Sequence, residues 1–262
     1  MENHQDNESV KSENKRDFSQ VQVINRAARI LRTVRDNGSL NLSELARQVG
    51  LARSTVYRIV NTLEAEGLLN TANSEGHIQL GLELVSLGAA VKSDMRQILR
   101  PYLEVLSIEV DETVDLAILD KDQLIFLDQV ARPRRLRAVS GIGITFPLHC
   151  TANGKAMLST LPVEEVEHLL PEQLQVFTPK TIPTRAKLME ELERVRAEGV
   201  GYDCEEHTLG ICAVGSVIQG LMNPLAAISI PVPSIRFYGN EEKLVSALIQ
   251  TCETISQRIK TI

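Results

Sequence analysis

The chain predicts an α+β protein, helical toward its amino end and strand-rich beyond, on three observations. Two short amphipathic helices flank a Gly-Leu turn within LSELARQVGLARSTVYRIVNTLEAEG, residues 42–67. Two short extended runs follow at once, and beyond about residue 98 the apolar spacing changes from a helical period to that of strands.

Residues 1–19 are rich in Asn, Glu, Gln, Ser and Lys and almost devoid of apolar side chains. They lack material for a core and the apolar stretch of a signal peptide, so a disordered tail on a cytoplasmic protein is expected. Next, Ile24, Ala27, Ala28, Leu31 and Val34 form a helix whose apolar face covers the helical pair, ended by Asn37-Gly38. Leu42, Leu45, Ala46 and Val49 are the inward stripe of the following helix. Ser43 is its expected N-cap and Gly50 its left-handed end.

The second helix of the pair turns Val56, Ile59, Val60 and Leu63 inward, at i, i+3, i+4 and i+7. Ser54, Thr55, Arg58, Asn61 and Thr62 share the other face. Hydroxyl, guanidinium and amide groups match phosphate oxygens and base edges in a major groove. Arg53, Ser54, Thr55, Tyr57, Arg58 and Asn61 are therefore candidate contacts to double-stranded DNA, the plainer alternative being a helical hairpin that only packs. After Gly67, LLNTANSEGHIQLG reads as two strands around a Ser-Glu-Gly turn, a wing. A winged helix-turn-helix over residues 20–81 results. From residue 20 to residue 66 seven arginines face four carboxylates, although the whole chain is formally −6, which suits one DNA-facing domain on an acidic body.

LELVSLGAAVKSDMRQILRPYLEVL then reads as helix, with Leu82, Val85 and Ala89 on one stripe and Pro101 marking a kink or restart. Residues 82–98 are expected to be a linker helix and 99–262 a second domain. There TVDLAILD, QLIFLDQV, LRAVS, ICAVGSVI and LAAISIP read as strands. Helices near 153–160, 163–169, 184–198 and 240–260 interleave with them, so an antiparallel or mixed sheet with helices against it is expected. The basic run at 132–137 reads as a solvated loop, with a subunit or DNA-backbone contact as the alternative.

At 43% hydrophobic and 262 residues the chain can bury a core in more than one domain. No stretch approaches the roughly 18 to 20 apolar residues of a membrane span, so no membrane association is expected. With 3% aromatic residues and no Trp, stacking platforms for single-stranded nucleic acid are not expected. In PLHCTANGKAML, Thr151 can cap a helix whose first amides, near Ala152, Asn153 and Gly154, lack helical partners and suit a carboxylate; an ordinary capped helix is the alternative. Cys150, Cys204, Cys212 and Cys252 are scattered and expected to be reduced. His149, Cys150, Cys204, His207 and Cys212 leave a metal or redox sensor open as an alternative. No nucleophile elbow or phosphate loop is present, so the expectation is no enzyme, no catalytic residue, no cofactor and no metal.

VINRAARILRTVRDNG, the helical pair, PLHCTANGKAML and GICAVG, in that order, resemble the IclR family of bacterial transcriptional regulators over about residues 20–260. The resemblance implies a winged helix-turn-helix, a linker helix and a GAF-like (profilin-like) effector domain, assembled as a homodimer or homotetramer. It also implies a small carboxylate effector at Ala152, Asn153 and Gly154, with Asp203, Cys212 and Ser229 matching polar residues of the family's effector pocket. Beside an anion an ionised Asp203 repels unless it accepts a ligand hydroxyl, which favours a hydroxy- or oxo-acid. Where many relatives carry a second serine, this chain has Pro231, which brings neither hydroxyl nor N–H. A ligand-responsive regulator bound to a duplex operator is expected. Ligand-released repression is the preferred sign, and activation, which also occurs in the family, is the alternative.

Overall fold

The computed structural model describes residues 21–72, 76–90, 94–138, 140–222 and 225–259, in two compact units that divide between Lys92 and Ser93. The expected disordered tail and the Ser74-Glu75 tip of the wing lie outside the described residues.

The first unit holds α1 (Gln22–Asn37), α2 (Leu42–Val49), α3 (Arg53–Ala65), β1 (Leu69–Ala72), β2 (His77–Leu80) and α4 (Glu83–Ala90). Its core joins Ile30 and Val34 of α1 to Leu45 and Val49 of α2, Val56, Val60 and Leu63 of α3, and Leu69 and Ile78 of the wing. The inward stripe of α1 is Ala27, Ile30, Leu31 and Val34, while Ile24, expected to face inward, is 64% exposed. The cap of α2 also differs from expectation. Asn41 Oδ1 accepts the amides of Ser43 and Glu44, both at 3.0 Å, and Glu44 Oε2 accepts the Asn41 amide at 3.1 Å. That reciprocal box satisfies two orphan donors, and Ser43 is one of the residues being capped. Gly50 ends α2 at φ 60°, as its left-handed role requires. The wing is antiparallel, from Leu69↔Leu80 to Ala72↔His77. Leu82 and Val85 of the expected linker stripe are both exposed.

The second unit opens with α5 (Asp94–Val110), which contains Pro101 and continues through it. A proline there removes one N–H, but Leu99, Leu103, Leu106 and Val110 are buried as one stripe, and tertiary packing outweighs the lost bond. The six strands are β3 (Val114–Asp120), β4 (Gln123–Val130), β5 (Thr145–Pro147), β6 (Gly201–Cys204), β7 (Ile211–Met222) and β8 (Leu225–Pro233). They pair antiparallel throughout, in the order β5-β4-β3-β8-β7-β6. Of LRAVS, expected as a strand, the described residues Leu136, Arg137, Ala138 and Ser140 lie in no strand. Leu136 is 57% exposed and Arg132 and Arg134 reach back to Asp111 rather than lying along the sheet.

One face of the sheet packs on α5 and α10 (Glu241–Ile259) through Leu103, Leu116, Ile228, Leu248 and their neighbours. The other face packs on α6 (Ala152–Ser159), α7 (Val163–Leu169) and α8 (Arg185–Glu198) through Phe126, Met157, Leu188 and Leu192. A short α9 (Ser234–Phe237) follows β8. No helix among the described residues is long and apolar enough to cross a membrane.

Candidate functional site

On α3 the burial of Val56, Ile59, Val60 and Leu63 turns the opposite face outward. Arg53, Ser54, Tyr57, Arg58 and Asn61 are exposed and Thr55 is half-buried. Among the described residues Arg53 and Arg58 take part in no ion pair, so both guanidiniums are available to an anion. Thr62 is spent differently, its hydroxyl donating to the Arg58 carbonyl at 2.9 Å.

In the second unit, register builds a cavity of about 390 Å³ on the sheet face beneath α6. Asp115 of β3, Ser229 of β8, Gly215 of β7 and Gly201 of β6 stand opposite one another in one rung. Two residues along, Pro231, Ala213 and Asp203 form the next rung on the same face. Asp115, Ser229, Pro231, Ala213 and Asp203 all line the cavity. The paired glycines seat the helix. A Cβ on Gly215 would lie 2.5 Å from the Asn153 amide nitrogen, and one on Gly201 would lie 2.3 Å from the Ala152 carbonyl oxygen.

That close approach brings Ala152 and Asn153, at the start of α6, to the cavity wall, where their amides have no partner within the helix. Asn153 is 2% exposed. Its Oδ1 accepts the Gly154 amide at 3.1 Å, whereas its Nδ2 has no partner among the described residues. Thr151, the expected cap, instead donates its hydroxyl to the Pro147 carbonyl at 2.9 Å. Gly154 is absent from the cavity wall. A Cβ there would meet the Leu148 carbonyl at 2.3 Å, so its small size serves the preceding turn.

Asp203 Oδ1 accepts the amides of Glu206 at 2.7 Å and His207 at 3.4 Å, which folds the β6–β7 turn over the cavity. Burial, with the nearby Glu206 charge adding to it, pushes its carboxyl up to about 7 against those amides. Lys155 of α6, 1% exposed, pins the same turn by donating to Glu206 at 2.6 Å and to Glu191 of α8 at 3.3 Å. Asp115 takes hydrogen bonds from Gln129 at 2.7 Å and Ser140 at 2.5 Å, and burial still lifts it to about 6. Arg137, at an exposed position, is the only Lys or Arg among the described residues that line the cavity.

Of the residues expected at an effector, Ala152, Asn153, Asp203 and Ser229 come together at the cavity, and Gly154 and Cys212 do not. Side chains alternate along a strand, so Ile211 and Ala213 face the cavity and Cys212 faces the α10 core, its thiol 3.8 Å from the Tyr238 hydroxyl. Sequence reasoning did not single out Asp115, Phe126, Ser140, Phe146 or Thr208, weighed His207 only as a metal ligand and read Arg137 only as part of a basic loop; all seven line the cavity. An acid in the middle of the apolar run TVDLAILD was the one available signal, because a buried carboxylate on a strand needs a purpose.

Among the described residues no group of three or more His, Cys, Asp or Glu is arranged to hold a metal ion. Burial raises all four thiols, Cys212 to about 11 and Cys252 to about 12, which disfavours the thiolate that nucleophilic or metal chemistry needs.

Residues 23–72 match the model of the IclR helix-turn-helix domain, and residues 88–257 that of the bacterial transcriptional regulator IclR C-terminal domain. An HTH-type transcriptional regulator of Mycobacterium tuberculosis is 49% identical over 87% of this chain and 89% of its own length. The transcriptional repressor IclR of Escherichia coli is 34% identical over 83% of this chain and 82% of its own. Among solved structures, an IclR homologue from Microbacterium hydrocarbonoxydans complexed with 4-hydroxybenzoate has a TM-score of 0.79 at 21% identity. It covers 92% of this chain and 100% of that one, a likeness of fold.

Proposed function

Because the chain belongs to the IclR family of bacterial transcriptional regulators, we propose that it is a repressor whose hold on a duplex operator is set by a small hydroxy- or oxo-acid in the cavity. In this reading α3 enters the major groove. Arg53 and Arg58 meet phosphates or guanine edges, Asn61 meets an adenine, and Ser54, Thr55 and Tyr57 position the helix on the backbone. A homodimer or homotetramer places such helices on half-sites about 34 Å apart. The ligand carboxylate lies on the amides of Ala152 and Asn153, while Asp203 accepts the ligand's hydroxyl or hydrated carbonyl, with Ser229 beside it.

The Asn153 carboxamide carries the ligand half of this reading. A buried donor left unpaired costs about 1–3 kcal/mol, and an acid oxygen arriving at the cavity wall relieves that cost. The name of the E. coli relative supports the repressor sign. The hydroxylated carboxylate in the Microbacterium homologue supports the ligand class.

The test is an operator titration. Genomic fragments retained by the protein are followed by fluorescence anisotropy with and without acids that raise its unfolding temperature. Such an acid is expected to weaken operator binding roughly 5- to 150-fold. Asp203→Ala is expected to blunt that response while operator affinity without ligand persists. Stabilising acids that leave the titration unmoved would sink the coupling.

A further inference from the structure

We propose that Cys204 and Cys212 are a redox pair, which a hydroperoxide closes into a disulfide across the base of the β6–β7 turn, and that this bond fastens the turn. A whole turn separates the two along the chain, yet antiparallel register sets them directly opposite each other, in the rung of β6 on β7 next to the turn. Partners in a rung point to the same face of the sheet. That face is the α10 side, where Cys212 is fully buried in the core and Cys204 packs against it. Directly opposed residues of an antiparallel pair have Cα atoms about 4.5 or 5.5 Å apart, and a disulfide spans about 4.4–6.8 Å, so either kind of rung can be bridged. Cross-strand Cβ atoms, at about 4.5–5.5 Å, stand slightly wider than the roughly 3.5–4.5 Å of a disulfide. Closure draws the strands together, and a bond under such strain is readily reduced again, as a switch requires. The other two cysteines are placed apart from this pair. Cys150 precedes α6 on the opposite face of the sheet, and Cys252 of α10 lies 3.9 Å from the Ser216 carbonyl, farther along β7.

The two sulfurs have unequal access. β6 is the last strand of the sheet among the described residues, and Cys204 on it is half-buried, so a small oxidant has its approach there. Cys212, enclosed in the core, is met by its neighbour instead. The Cys204 thiolate attacks one oxygen of hydrogen peroxide; an S–O bond forms as the O–O bond breaks, and the departing hydroxide takes a proton and leaves as water. The Cys212 thiolate then attacks the sulfur of that sulfenic acid. The S–S bond forms, the S–O bond breaks, and a second hydroxide leaves as water. In sum, two thiols and one peroxide give a disulfide and two waters, the sulfurs oxidised and the peroxide reduced. Burial raises both thiols, which keeps thiolate scarce and the reaction slow, while the Tyr238 hydroxyl, 3.8 Å from Cys212 Sγ, opposes the rise. The pair therefore answers to sustained oxidant, not to a brief pulse.

What the bond would hold is the turn at residues 205–210. Its Glu206 and His207 amides donate to Asp203, and His207 and Thr208 stand on the cavity wall. Glu205 and Gly210 take φ of 64° and 83°, which tightens the turn, and Thr178 and Thr181 donate to the Glu205 and Glu206 carbonyls at 2.7 and 2.6 Å. These are hydrogen bonds, and a local opening can break them while the strands stay paired. A covalent rung at the base shortens the loop that is free to move and removes many of its open arrangements. Oxidation thus stiffens one wall of the cavity, and the pairing of the sulfurs holds whatever the cavity binds.

The experiment is thiol mapping by mass spectrometry on the full chain. Reduced protein is held in hydrogen peroxide at pH 8, alkylated with N-ethylmaleimide, digested and sequenced. Of the four cysteines, Cys204 and Cys212 are expected to lose alkylation together, to appear as one linked peptide pair from a single chain, and to recover fully with dithiothreitol. Hydrogen exchange at residues 205–210 is expected to slow in the oxidised protein and to return on reduction. Cys212→Ser should strand Cys204 as a sulfenic acid that dimedone traps, and Cys204→Ser should leave Cys212 unreacted. Both thiols still alkylated after prolonged peroxide overturn the pair, and so does a Cys204 sulfinic acid beside a free Cys212, or a bridge between two chains. A bridge that leaves exchange at the turn unchanged overturns the fastening.

Discussion

On α3, Arg53, Ser54, Tyr57, Arg58 and Asn61 stand in solvent, whereas in the cavity Asp115, Asn153, Asp203 and Ser229 are each less than a tenth exposed. In the proposed reading the two surfaces meet polar partners under different physics. An exposed guanidinium keeps its water until phosphate replaces it, and the favourable change is release of counterions from DNA, so that site answers to salt. A buried carboxylate has already lost its water and is held in a strained protonation balance, so the cavity answers to pH and, in that reading, to a ligand that completes its hydrogen bonds. Separate cores let each site keep its own conditions.

The largest expected effect challenges that separation. Leu45 is fully buried in the first unit's core, and Leu45→Ala should cost about 2–5 kcal/mol there. Calorimetry is expected to show an early transition and lost operator binding, with ligand still stabilising a later transition. One joint transition displaced as a whole would contradict independent cores.

Next comes pH. Asp203 near 7 and Asp115 near 6 hold protons in the native state that the unfolded chain, near 3.9, releases. The sign follows: ionising them costs the folded form, so this contribution to stability falls as pH rises from about 4 to about 7 and is flat above. For Asp203 the change is on the order of 2–4 kcal/mol. Asp203→Asn, which keeps an acceptor for the turn amides, should flatten the dependence seen by urea unfolding at pH 5 and pH 8 and be the more stable protein at pH 8. Identical slopes in both proteins would mean that Asp203 is not strained.

Arg58→Ala sharpens the other side of the comparison. Specific operator binding should weaken by about 1–3 kcal/mol, or the slope of log affinity against log salt should fall by about one if Arg58 meets a phosphate. An unchanged gel shift across salt concentrations removes Arg58 from the interface. The smallest effect is expected from Cys212→Ala, because its side chain faces α10, away from the cavity. Ligand affinity should shift by no more than about twofold, the usual coupling between sites without shared partners; a tenfold loss would return Cys212 to the pocket.

How far the sequence could be read depended on how local each signal was. The stripe Val56, Ile59, Val60, Leu63 lies within two helical turns, so periodicity alone assigned its inner and outer faces. The strands β3, β4, β7 and β8 were equally plain as β-branched runs. β5 and β6, at three and four residues, are too short to carry a period and exist because longer neighbours offer them an edge. Ile24 was misplaced because which side of a helix is covered depends on what the rest of the chain lays against it, and Cys212, carried over from the resemblance by motif, faces the α10 core rather than the cavity.

From sequence alone came the winged helix-turn-helix, the outward polar face of α3 and the small-residue start of α6, since capping, turns and amphipathic spacing are properties of consecutive residues. Tertiary structure decided the cavity. Asp115, Ser229, Gly215 and Gly201 are far apart along the chain, and antiparallel register sets them in one rung beneath a helix that two missing side chains admit. The raised carboxyls of Asp115 and Asp203 are likewise a result of burial, which no single segment specifies.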